Sequence, residues 1–80
     1  MIYKEQLKSI KRQAETSINA WCNQFNNRRV KIFNQDKTLH EGQTKSVEFN
    51  LHNFSAEFIF IDNIKINVTV DDTSNIMFTD

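Results

Sequence analysis

Apolar residues in the first third of the chain fall at Tyr3, Leu7, Ile10, Ala14, Ile18, Trp21, Cys22 and Phe25, in steps of three and four that lay one stripe along a helix. Polar positions such as Glu5, Lys8, Arg12, Glu15 and Asn19 fall on the opposite face, and no Gly, Pro or Val interrupts 3–25. The spacing predicts one helix over about 3–26, roughly 35 Å long at 1.5 Å per residue. Asn26-Asn27 is its expected stop, because asparagine tolerates the left-handed conformation of a C-terminal cap.

Beyond Asn27 the period drops to two. Val30 and Ile32 alternate with Arg29, Lys31 and Phe33; Val47, Phe49 and Leu51 alternate with Glu48 and Asn50; Ile64, Ile66, Val68 and Val70 alternate with Lys65, Asn67 and Thr69. Strands are expected at about 29–34, 46–51, 56–61 and 64–70, with a short fifth at 76–78. The polar run 36–45, which holds the chain's one glycine, reads as a loop. The fold class expected is α+β: one long N-terminal helix packed on a four- to five-stranded antiparallel sheet, a single domain over 1–80.

Between the third and fourth strands stands Asp62-Asn63, which suits a two-residue type I′ turn. That turn opposes Ile61 to Ile64, Ile59 to Ile66 and Glu57 to Val68, so Phe58 and Phe60 point the other way, beside Lys65 and Asn67. The second strand joins either side, depending on the parity of its loop around His52–Ser55. One helix covers one face. Unless Ile76, Phe78 or the loop at Phe54 covers the rings, Phe58 and Phe60, with Lys65 and Asn67, form a partner-binding surface for another protein or for a second copy in a homodimer.

Length and composition narrow the choice. Eighty residues with 39% hydrophobic content supply one core and no second domain. A single cysteine forms no intramolecular disulfide, which favours a reducing compartment, and no stretch has the apolar length of a signal peptide or a membrane span. The expected place is the cytoplasm, with no membrane partner. Net charge is zero but uneven: residues 1–45 hold nine of the ten Lys and Arg against four acids, and 46–80 hold one against six, so the halves carry +5 and −5.

Candidate chemistry is sparse. Cys22 on the apolar helix stripe reads as a small buried hydrophobe; paired with His40 or His52 it lacks both thiolate character and metal-ligand spacing. Asp71-Asp72 with Asp62 and Asp80 lacks the spaced oxygens and glycine of a calcium loop. One glycine cannot build a phosphate-cradling loop. No catalytic residue, metal or cofactor is therefore expected, and the chain reads as no enzyme. Arg28, Arg29, Lys31 and Phe33 form a basic segment with an aromatic on its charged side, able to meet phosphates and stack on a base. Richness in Asn, Lys, Ile and Phe without proline matches an AT-rich genome of the phage or mobile-element kind. The expected function is a small protein-binding inhibitor or adaptor acting on a larger protein or nucleoprotein complex, and the alternative is a nucleic-acid-binding protein using Arg28 to Phe33.

Overall fold

One helix and five strands make up the described residues: α1 (Glu15–Asn23), β1 (Arg29–Asn34), β2 (Lys37–Asn50), β3 (Ser55–Phe60), β4 (Lys65–Thr69) and β5 (Ser74–Phe78). The computed structural model describes residues 6, 15–35, 37–69 and 73–80. These elements correct the expected fold of one long N-terminal helix over 3–26 packed on a four- to five-stranded sheet: among the described residues the protein is mostly an antiparallel five-stranded sheet with one short helix. Apart from Gln6, the expected helical stretch 3–14 lies outside the described residues.

At its far end the helix stops earlier than its apolar stripe. Phe25 N bonds Cys22 O at 3.3 Å and Asn26 N bonds Asn23 O at 3.2 Å, an i−3 spacing that tightens the last turn. Asn27 then takes φ 62, and its N–H leaves the helix for Thr44 O at 2.9 Å. The residues expected as the final helical turn thus form the bend that hands the chain to the sheet, with Asn27 in the left-handed conformation that suits asparagine.

The strand order is β4-β3-β2-β1-β5, every observed pairing antiparallel. β2 is the spine. Its first half pairs with β1, from Lys37 opposite Asn34 to Gln43 opposite Arg29, and its second half pairs with β3, from Thr44 opposite Phe60 to Asn50 opposite Ser55. The register slips between Ile32 and Phe33 and again between Thr44 and Ser46, irregularities that bend a strand and sharpen its twist. The sheet curls, so its edge strands β4 and β5 come near one another.

The polar run 36–45 is corrected from loop to strand over the described residues from Lys37 on. Its inward positions are His40, Gly42 and Thr44, none of them the branched apolar residue that signals a strand. Two rings supply the bulk instead: a Cβ at Gly42 would lie 3.4 Å from His40 Nε2 and 3.5 Å from Phe60 Cδ1. The glycine leaves room for them.

A second correction changes which residues face the core. Asn63 N donates to Phe60 O at 2.9 Å and Phe60 N donates to Ile64 O at 2.9 Å, while Asn63 has φ 71. The β3–β4 loop is therefore Ile61–Asn63, three residues ending in a left-handed asparagine, and not the two-residue type I′ turn. Ile64 N bonds Asp62 Oδ1 at 3.1 Å and steadies it. The extra residue slips the register by one, so Phe58 opposes Ile66 and Ala56 opposes Val68, and every side chain changes face relative to the expected pairing.

Phe58 and Phe60 consequently point inward and are fully buried. The helix and the bend after it cover Phe58, whose ring lies 6.2 Å from Trp21 and 5.1 Å from Phe25, with Trp21 4.9 Å from Phe25, all edge-on, while Phe60 packs against His40 at 4.4 Å. Ile18, Cys22, Val30, Ile32, Ala56, Val68 and Ile76 complete the core. Val47 and Phe49 fall on this same side, opposite Phe58 and Ala56, one of the two parities open to the second strand.

Candidate functional site

With the core on the inner face, the outer face carries the side chains that the fold does not consume. The alternation of β1 buries Val30 and Ile32 and turns Arg29, Lys31 and Phe33 outward. Cross-strand pairing sets Lys31 between Met77 of β5 and Glu41 of β2, and Arg29 opposite Gln43. The Lys31 ammonium sits 5.7 Å from the Phe33 ring centroid, within cation–π range. Met77 is 38% exposed. A guanidinium, an ammonium, an aromatic ring and a thioether thus share one rigid patch.

Arg28, grouped with these residues on the sequence, is placed elsewhere. Its Nε and Nη2 donate to Asp80 Oδ2 and Oδ1, both at 2.9 Å, a bidentate pair. Its guanidinium carbon lies 3.8 Å from the centroid of Phe78, whose ring packs 5.4 Å from Phe25. Arg28 therefore stands at the rim beside the inner-face aromatics, and the expected basic set divides into Arg28 on one side and Arg29, Lys31 and Phe33 on the other. The Arg28 hydrogen bonds hold the Asp80 carboxyl below its ordinary value against a smaller opposing effect of desolvation; the Arg28 charge and the Arg29 backbone N–H act in the same direction as the hydrogen bonds.

The other expected set divides too. Lys65 and Asn67 are exposed on the outer face, opposite Ile59 and Glu57, whereas Phe58 and Phe60 are core, so these four residues form no common surface. Where Asn67 lies, the sheet shows something the sequence left unmarked: Glu48 directly opposes Glu57, which opposes Asn67. With Phe49 and Asn50 of β2, Asn53 of the β2–β3 turn and Ser55 of β3 they line an open pocket of about 310 Å³. Phe54 at φ 50 packs its ring 4.8 Å from Phe49 beneath that turn, and Ser55 Oγ donates to Asn53 Oδ1 at 2.6 Å. Only the register reveals this carboxylate pair, and two acids nine residues apart in sequence carry no signal of it.

Of the groups weighed for catalysis on the sequence, Cys22 and His40 both pack against apolar neighbours. Cys22 is buried, and burial pushes its thiol up to about 11, far from the thiolate a nucleophile needs. His40 lies edge-on to Phe60 at 4.4 Å with Nε2 3.2 Å from Asp62 Oδ2, a contact not aligned as a hydrogen bond. Among the described residues no three His, Cys, Asp or Glu side chains gather as a metal site would need, and no helix is long and apolar enough to cross a membrane. Compared with protein families, curated proteins and solved structures, the chain matches none.

Proposed function

We propose that the protein is a small non-enzymatic protein-binding module, an inhibitor or adaptor of a larger protein or nucleoprotein complex, that makes contact through the outer patch Arg29, Lys31, Phe33 and Met77. The observation that carries this reading is their shared position on the face opposite the core, where Arg29 and Met77 are exposed and Lys31 and Phe33 half-buried. Arg, Met and aromatic residues are the types enriched at protein interfaces, and a sheet presents them on a backbone that is already ordered before binding. Immobilised protein is expected to retain the same partner from a nuclease-treated lysate as from an untreated one, and Lys31→Glu/Met77→Ser to lose it while keeping the wild-type circular dichroism. Retention of that partner by the variant would remove the patch from the interface.

A nucleic-acid reading draws on the same patch, since Lys31 over Phe33 with Arg29 alongside could hold a phosphate and stack a base. Arg28 being occupied at the rim lowers its strength. Two cations on single-stranded nucleic acid give a log–log salt slope of only about −1.4, which separates this mode from a steep, charge-driven one. Loss of the retained material on nuclease treatment would favour it over the protein partner.

A further inference from the structure

The rim contact of Arg28 has the form of a recognition site already filled. A planar guanidinium engaged through two parallel N–H bonds and stacked on an aromatic face is how arginine selects a carboxylate, and here the chain supplies that carboxylate itself. Both side chains reach solvent, Arg28 being 48% and Asp80 36% exposed, so the pair is open to exchange. We propose that the Arg28–Phe78 rim is a binding site for a carboxylate side chain of a partner protein, with Asp80 as a built-in competitor that keeps it occupied until the partner displaces it.

The geometry supports displacement over a purely structural clasp. β5 has other anchors: five paired positions along β1, Ile76 in the core, and Thr79 N donating to Arg29 O at 2.9 Å. The strand is thus seated without relying on the ion pair alone, and the pair stands where solvent and salt screen it, so a partner carboxylate that brings apolar contacts of its own can outcompete it. The inference rests on the protein-binding reading for its partner class, but it uses none of the outer-patch residues, so the two can fail separately.

A capped peptide of alternating aspartate and phenylalanine, titrated into labelled full-length protein and followed by NMR, tests it, with a single-stranded oligonucleotide of equal charge as a second probe. Asp80→Asn is expected to bind the peptide about two- to fivefold more tightly than wild type, the scale of one exposed ion pair. Arg28→Gln should lose the binding, and Arg28→Gln/Asp80→Asn should show no gain. Equal affinity of wild type and Asp80→Asn would overturn the competitor. A gain that survives in the double variant would trace to a loosened β5 and overturn the site. A larger gain for the oligonucleotide than for the peptide would overturn the protein partner, leaving the outer-patch reading to its own lysate test.

Discussion

Trp21 and Phe25 hold the helix to the sheet as single residues, each ring edge-on to Phe58 and buried. Truncating either to Ala is expected to cost about 3–5 kcal/mol, read as a fall in the urea midpoint at unchanged slope; an unchanged midpoint for Trp21→Ala would remove it from the core. Cys22, between them, has its thiol raised to about 11 by burial. It should label slowly with a thiol reagent at pH about 8 in the folded state and rapidly in urea, and prompt labelling of the folded protein would contradict its burial. Asp80 gives a pH dependence of definite sign. Its folded carboxyl lies below the ordinary 3.8, so its contribution is present above that value and is lost as pH falls through the lowered one. Wild type should therefore be more stable than Asp80→Asn at pH about 5, with the difference closing toward pH about 2.

At the scale of elements, the outcome turned on turns. Strand positions that alternate cleanly, such as Val30 and Ile32 against Arg29 and Lys31, were legible because period two with branched residues is a direct image of a half-buried strand. The first half of β2 was not, because its inward side is His40, Gly42 and Thr44 and its bulk comes from a neighbouring strand's phenylalanine. The β3–β4 loop was legible as a hairpin but not in its length, since Asp62-Asn63 suits a two-residue turn and the tail of a three-residue one alike. The conformation of Asn63 distinguishes them. At φ 71, Asn63→Gly should leave stability near wild type and Asn63→Val should lower it by about 1–2 kcal/mol, measured by thermal or urea unfolding. Equal stability of the two variants would contradict the left-handed assignment.

For the whole molecule, one slipped register decides which face is core and which is open, and that choice moves the candidate site. The basic segment was legible as chemistry, but its division was not: Arg28 leaves it because Asp80, fifty-two residues away, lies across the sheet rim. The Glu48–Glu57 pair was invisible for the same reason, being a product of pairing and not of spacing. Two double substitutions make the assignment of faces testable at this scale. Phe58→Ser/Phe60→Ser removes two fully buried rings; at about 3–5 kcal/mol for each, the sum reaches the ~5–15 kcal/mol available to a domain of this size. The isolated chain should lose its cooperative unfolding transition. Phe33→Ser/Met77→Ser also removes two large apolar side chains, but from the outer face, where one is half-buried and the other exposed. Neither belongs to the close-packed core cluster, so the midpoint should move by only about 1–2 kcal/mol, while partner retention falls. Circular dichroism and urea unfolding of both variants side by side give the answer, and a folded Phe58→Ser/Phe60→Ser beside an unfolded Phe33→Ser/Met77→Ser would invert the sheet and return the interface to the phenylalanine face.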